Sequence, residues 1–170
     1  MNREIAILGA GIGGLTTAIT LHQRGFRKIN IYERLKPNVN LGAGLVLWPN
    51  ATCILHHLGL EDAVSKVGGG LLKMVRHSSD GEFLGELSIT DLEKALGFSS
   101  YAISRYELTQ ILLDKLKDLQ FNIHYSKNVE SIYTNQDSRT CVEFDDGEKI
   151  TPDIIVGADG RMKEAAARTR

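Results

Sequence analysis

The chain has 170 residues, 42% hydrophobic and 24% charged, with 20 Lys and Arg against 21 Asp and Glu for a net charge of −1. That composition excludes a disordered chain and suffices for one sizeable core, while the near-zero charge leaves no electrostatic footprint for nucleic acid or an anionic membrane. No stretch approaches the ~18 apolar residues of a membrane span or carries the features of a signal peptide, and Cys53 and Cys141 share no motif spacing, which fits reduced core residues in a cytoplasmic setting.

Residues 5–35 read IAILGAGIGGLTTAITLHQRGFRKINIYERL. Ile5 to Leu8 is an apolar run of the kind that forms a buried strand. Leu15, Ala18, Ile19 and Leu21 then recur at helical spacing until Gly25 stops the pattern, and Ile29 to Tyr32 reads as a second strand. Between strand and helix, Gly9, Gly11 and Gly14 have the spacing G-x-G-x-x-G, with Ala10, Ile12 and Gly13 among them. In such a unit the first glycine permits the sharp turn, the second lets a pyrophosphate approach the backbone, and the third lets the helix pack closely on the sheet. The unpaired N–H groups and positive dipole end of the helix start then favour an anion without a lysine. A triphosphate loop would need G-x-x-x-x-G-K-[ST], whereas Gly14 runs into Leu15 and Thr16. A dinucleotide is the expected ligand. Glu33 follows Gly14 by 19 residues, where a carboxylate can accept hydrogen bonds from both ribose hydroxyls and repels a 2′-phosphate. The adenosine in this crevice is therefore expected to be unphosphorylated, as in FAD or NAD.

Further along, Gly42 and Gly44 precede an apolar strand from Leu45 to Trp48. Asn50 is expected to cap a helix carrying Ile54, Leu55 and Leu58, with Gly59 as its stop, and a short helix follows from Glu61 to Val67. Gly68 to Gly70 reads as a hinge. Residues 71–88 read as two strands joined by a turn at Ser79-Asp80-Gly81, a hairpin inserted in an otherwise α/β chain. Ser104 and Glu107 form an S-x-x-E capping box for a helix whose apolar stripe is Leu108, Ile111, Leu112 and Leu116. Arg105 is then the first helical residue, a cation at the unfavourable end of the dipole, which fits either an anionic neighbour or a solvated surface. A strand over 121–125 is followed by two that pair around Gln136 to Ser138, with Asp146-Gly147 as the next turn. Ile154 to Val156 reads as a buried strand ending in Gly157-Ala158-Asp159-Gly160, where small residues suggest close approach of a ligand to the backbone. The five histidines are scattered without metal-ligand spacing, and no side chain stands out as a catalytic nucleophile or general base.

Four segments in this order, GAGIGGLTTA with IYER, LGAGLVLWPNA, ISRYELTQILL and PDIIVGADG, resemble the FAD-dependent single-component monooxygenases that hydroxylate aromatic or related ring substrates, the group of the salicylate and p-hydroxybenzoate hydroxylases. The combination separates this group from nicotinamide dehydrogenases, which share only the first segment. The resemblance implies an α/β, Rossmann-like dinucleotide-binding fold with an inserted β-hairpin and a β-meander. It makes 1–170 an FAD-binding domain, with the 71–88 hairpin belonging to a substrate-side sheet. By position it implies that Gly9, Ala10, Gly11, Ile12, Gly13 and Gly14 hold the FAD pyrophosphate, Glu33 the adenosine ribose, and that Arg34 lines the same crevice. Gly44, Leu45 and Val46 would run near the flavin, Arg105 would contact it, and Val129 would meet the adenine. Asp159 and Gly160 match the first half of the family's DG motif, which touches FAD and is implicated in NAD(P)H use.

In that family NAD(P)H reduces FAD, O₂ adds to the reduced flavin, and the resulting hydroperoxide delivers an oxygen atom to the substrate. The family's pattern runs D-G-x-x-S-x-x-R, but Lys163 stands at the serine position and Ala166 at the arginine position, a departure in the segment tied to NAD(P)H. Family members continue into a later G-D-A-x-H-like segment and most of the substrate-binding sheet. The chain is therefore expected to correspond to the N-terminal portion of such an enzyme and to be inactive alone. The alternatives are a non-catalytic dinucleotide-binding fragment, and an NAD-dependent dehydrogenase with Glu33 on the NAD ribose.

Overall fold

The computed structural model describes residues 3–37 and 43–160; Gly42, Lys163 and Ala166 lie outside them. In chain order the elements are β1 (Glu4–Leu8), α1 (Ile12–Gln23), β2 (Lys28–Glu33), β3 (Gly44–Leu47), α2 (Pro49–His57), α3 (Glu61–Val67), β4 (Gly69–Gly70), β5 (Lys73–His77) and β6 (Phe83–Ser88). They continue with α4 (Ile89–Leu96), β7 (Tyr101–Ser104), α5 (Arg105–Asp118), β8 (Ile123–Tyr125), β9 (Val129–Thr134), β10 (Thr140–Phe144), β11 (Lys149–Ile150) and β12 (Ile154–Gly157). Two compact units result, one from 1–40 with 112–170 and the other from 41–111.

The first unit is built on a parallel sheet of order β12-β1-β2-β8. Successive side chains of a strand point to opposite faces, so the continuous apolar run of β1 demands cover on both. Ala6 and Leu8 belong to a cluster with Tyr32, Val142 and Phe144, against which Val129, Ile132, Ile150 and Ile155 pack. The antiparallel meander β9-β10-β11 thus covers that face. On the alternate positions Ile5, Ile7 and Ile31 are buried, as are Leu15, Ala18 and Ile19 of α1, which packs on β1 and β2. Burying each such side chain stabilises the unit by about 1.5–3 kcal/mol. Both meander turns fall where turn chemistry places them, at Ser138 with φ +59° and at Gly147 with φ +85°.

Tyr32 is sandwiched between aromatic neighbours. Its ring stacks on His124 and on Phe144, each with centroids 4.9 Å apart. Burial, with the Glu148 and Glu4 charges, pushes its phenol above the usual tyrosine value despite the opposing effect of Lys127. Between β8 and β9, the Lys127 ammonium bonds the carboxylates of Asp146 and Glu148 and lies 5.7 Å from the Phe144 ring centroid.

In the second unit β3, β7 and β4 form an antiparallel sheet, and α3 packs on β7. Gly68 to Gly70 is not a bare hinge, because Gly69 and Gly70 pair with Ala102 and Tyr101 as β4. A Cβ on Gly68 would stand 3.0 Å from the Tyr101 Cβ, so close packing accounts for that glycine. Asn50 does not cap α2. Trp48 occupies that position without a side-chain bond, and Pro49 takes the first turn, where its missing N–H costs nothing and its fixed φ suits a helix. Ile54, expected in the apolar stripe, is 52% exposed, whereas Leu55 and Leu58 are buried. The hairpin forms as β5 paired with β6. It runs directly into α4, a helix the sequence reading omitted, which starts where the Ser88 hydroxyl accepts from the Asp91 N–H and ends at Gly97 with φ +78°. The Ser104–Glu107 capping box is formed, with the Glu107 N–H donating to Ser104 Oγ at 3.1 Å and the Ser104 N–H to Glu107 Oε2 at 3.3 Å. Leu108, Leu112 and Leu116 of α5 are buried.

The Lys127 cluster gives the first unit an acid-sensitive tie. Its hydrogen bond to Lys127, with a backbone bond from Glu148, holds the Asp146 carboxyl below the usual aspartate value. A carboxyl held low stabilises the fold above its ordinary value and loses that contribution as pH falls through its own, lower one. The difference in thermal stability between wild type and Asp146→Asn should therefore be full above the ordinary aspartate range, about pH 4, and fade as pH falls below it. Melts across that range check this, and a pH-independent difference contradicts it.

Candidate dinucleotide-binding site

The C-terminal ends of β12, β1 and β2 lie side by side, with Leu8 in register with Gly157 on one flank and Tyr32 on the other. The connection through α1 leads from β1 to β2, while β12 pairs on the opposite edge of β1. A crevice at such a reversal of strand order is the usual ligand position in a parallel α/β sheet.

Gly9 occupies the mouth of this crevice at φ +114°. Its N–H donates to Tyr32 O at 2.7 Å, while the Ala158 N–H donates to Leu8 O at 2.8 Å. A Cβ on Gly9 would stand 2.5 Å from Ala158 O, and one on Gly14 would stand 2.0 Å from Gly9 O. These two glycines are demanded by the protein's own backbone. Ala158 is explained the same way, since what approaches it closely is Gly9, whereas a Cβ on Gly157 or Gly160 would meet nothing within 4 Å.

Gly11 and Gly13 differ, because a Cβ on either would meet no heavy atom within 4 Å. Gly11 is the N-cap of α1, makes no side-chain cap bond, and heads a first turn without an acidic residue. The first i→i−4 bond of the helix runs from the Leu15 N–H to Gly11 O at 3.0 Å, so the amides of Ile12, Gly13 and Gly14 have no intrahelical acceptor. An open face of bare backbone at the positive end of a helix dipole fits an anionic group such as a pyrophosphate.

Glu33 closes the turn from the other side. Its Oε2 accepts from the Ala10 N–H at 2.7 Å and its Oε1 from the Leu35 N–H at 2.9 Å. The carboxylate is thus a clamp on the glycine turn, and each oxygen keeps a lone pair for a further donor. Tyr125 pairs with Glu33 in register, and burial, followed by the Glu33 charge, pushes its phenol above the usual value. Tyr125 escaped the sequence reading because nothing in a three-residue strand signals which neighbour its register selects.

Among the remaining expected residues of this unit, Arg34 is exposed, as are Asp159 and Gly160, the last with φ +71°. Val129 begins β9 and packs against the Phe144 cluster. The second unit holds Gly44, Leu45 and Val46 on β3, paired with Ser104, Ile103 and Ala102. Val46 is 49% exposed, and a Cβ on Gly44 would meet nothing within 4 Å. Arg105, exposed at the start of α5, donates its backbone N–H to Ala43 O at 2.7 Å. No group of three or more His, Cys, Asp or Glu among the described residues could hold a metal ion.

The two kinds of glycine should separate on substitution. Gly14→Ala forces backbone apart and should destabilise the fold by about 1–3 kcal/mol or more, lowering its melting temperature. Gly11→Val places a branched side chain in open space, so the fold should survive while titration calorimetry shows no ADP or FAD binding. A folded Gly11→Val with unchanged affinity contradicts the assignment.

Comparison with known proteins agrees with this geometry. A family profile described as an FAD binding domain matches residues 2–168. The chain is 33% identical over 155 residues to an FAD-dependent urate hydroxylase of Klebsiella pneumoniae, covering 91% of the chain and 39% of that protein. It is 31% identical over 159 residues to a 6-hydroxynicotinate 3-monooxygenase of Pseudomonas fluorescens, covering 92% and 40%. The crystal structure of Klebsiella pneumoniae HpxO complexed with FAD and uric acid superposes with a TM-score of 0.75 at 32% identity, over 92% of this chain and 39% of that one. The chain thus spans about two fifths of the length of these relatives. Its glycine turn, open at Gly11 and closed by Glu33, stands on a sequence matched almost end to end: the chain belongs to the FAD-binding domain family.

Proposed function

We propose that this chain is the FAD-binding part of an NAD(P)H-dependent flavoprotein monooxygenase that hydroxylates an aromatic or related ring substrate. The observation that carries the reading is the Rossmann-like turn, in which Gly9 and Gly14 serve the fold while Gly11 is left open at an uncapped helix start. Relatives named for hydroxylating urate and 6-hydroxynicotinate, both nitrogen-containing rings, support the substrate class.

In this reading the amides of Gly11 to Gly14 bind the pyrophosphate, and the alignment of the α1 dipole strengthens each bond. Glu33 accepts from the adenosine ribose and rejects a 2′-phosphate by charge. Arg34 lines the crevice, Val129 contacts the adenine, and Asp159 and Gly160 face the cofactor from the end of β12. Gly44, Leu45, Val46 and Arg105 lie along the flavin. The redox and oxygen-activating chemistry is supplied by FAD when bound, with NAD(P)H as reductant, and the protein's part is binding, orientation and exclusion of water.

Mass spectrometry of small molecules released from the purified chain, with FAD titration of the stripped protein, tests the reading. FAD in the released fraction or saturable FAD binding supports it. Failure to bind FAD with retention of NAD instead would favour a dehydrogenase and overturn it.

Arg105 offers a sharper check. As a cation at the head of α5 it opposes the helix dipole by a few tenths of a kcal/mol, and a charge-assisted bond to the cofactor would be worth about 1–3 kcal/mol. Arg105→Ala should melt at or slightly above wild type without ligand and below it with saturating FAD. Equal falls in both conditions would make the arginine structural.

A further inference from the structure

The fold places a second support behind the glycine turn. Glu33 is the last residue of β2 and pairs with Tyr125, the last residue of β8, a position where a ladder frays unless something extends it. The extension is the 126–127 turn, whose Lys127 N–H donates to Glu33 O at 2.9 Å and whose Ser126 N–H reaches Leu35 O at 3.4 Å. Ser126 holds this turn at φ +58°, a left-handed conformation that costs a non-glycine residue energy and persists when its surroundings enforce it.

The Lys127 side chain anchors the turn at its other end. Only 16% exposed, it lies under the β10–β11 turn with its ammonium between the Asp146 and Glu148 carboxylates and its charge over the Phe144 ring. The Asp145 N–H donates to Asn128 O at 2.9 Å and fastens the same turn from the other side. Contacts therefore run without a gap from the meander to the crevice: Asp146 and Glu148 hold Lys127, Lys127 holds the Glu33 backbone, and Glu33 holds the Ala10 amide at 2.7 Å.

We propose that Lys127 is a positioning residue for the dinucleotide site, acting through Glu33 to fix the glycine turn that receives the adenosine and pyrophosphate. The inference rests on the reading of this crevice as an FAD site. Because it predicts a change at the Ala10 amide with no ligand present, it can stand or fall separately. Spatial continuity alone does not establish coupling, so a double-mutant cycle is required.

The experiment follows the Ala10 amide by NMR in the full chain and titrates ADP as the probe. Lys127→Met should speed Ala10 amide exchange, move its resonance toward the position seen in Glu33→Ala, and weaken ADP about tenfold. Lys127→Arg, which keeps the cation, should restore most of both. In a Glu33→Ala background, which has no side-chain acceptor for the Ala10 amide, Lys127→Met should weaken ADP by no more than about twofold, since the group it acts through is already gone. If Lys127→Met fails to fold, Asp146→Asn combined with Glu148→Gln releases the ammonium while keeping the lysine stem, and must reproduce the Ala10 change. The proposal is overturned if the amide is unmoved in the folded variants, or if the Lys127 and Glu33 losses simply multiply. Wild-type protein that binds no ADP would sink the FAD reading, while the Ala10 response would still decide the positioning claim.

Discussion

The structure of the first unit depends on backbone meeting backbone with no side chain between. At the end of β1 the chain turns so tightly that the carbonyl of Gly9 lies where a methyl group on Gly14 would be, and Ala158 lies where one on Gly9 would be. That double contact sets the start of α1 over the sheet and holds the end of β12 against the turn. A methyl group at either glycine would push apart two segments that are also bonded across the strands. The open amides lie beside this packing without being required by it, since α1 begins at Ile12 and a Cβ on Gly11 or Gly13 would meet nothing within 4 Å.

Charge is arranged around the turn in an order that explains why an acidic residue can border an anion site. Glu33 spends its carboxylate on the Ala10 and Leu35 amides, which lie outside the first helical turn. The amides of Ile12 to Gly14 stay free for an external acceptor, and the first turn adds no negative side chain. The carboxylate is thus bonded by donors other than the amides left open at the helix start. A neutral glutamine at this position would still accept a hydrogen bond from the Ala10 amide but would lose the negative charge that, in the proposed site, disfavours a 2′-phosphate.

Much of this was legible in the sequence, for reasons that differ by element. The β1-α1-β2 unit could be read because its periodicity, its glycine spacing and its terminal glutamate are all local, and the capping box at Ser104 and Glu107 is local in the same way. The meander and hairpin turns declared themselves through Ser138, Gly81 and Gly147, residues that tolerate the required backbone. What escaped depended on partners distant in sequence. β4 and β7 are short, and only their pairing with each other makes Gly69 and Gly70 a strand rather than a hinge. The capping of α2 went to Trp48 because Pro49 suits the first helical turn better than Asn50 suits a cap. Lys127 looked like any polar loop residue, since its two carboxylates lie 19 and 21 positions away. The clamp by Glu33 was hidden too, because the proposed ribose role and the Ala10 bond fall on the same residue.

The pairing of β12 with β1 also has a meaning in time. Glu4 and Asp153 bond across 149 positions of sequence, and the whole second unit is encoded between the two halves of the first. On a ribosome, β1, α1 and β2 emerge early. About 120 residues separate Glu33 from Ile154, which at usual synthesis rates is a delay of roughly 6 to 25 s. Throughout that interval the edge of β1 that will receive β12 is unpaired and Gly9 has no Ala158 against it, and until β9 to β11 emerge the apolar meander-facing side of the sheet is uncovered. The nascent unit therefore presents a sticky strand edge before Ala158 can close on Gly9, and any ligand that needs the completed turn has to bind after β12 is translated rather than alongside the glycine turn.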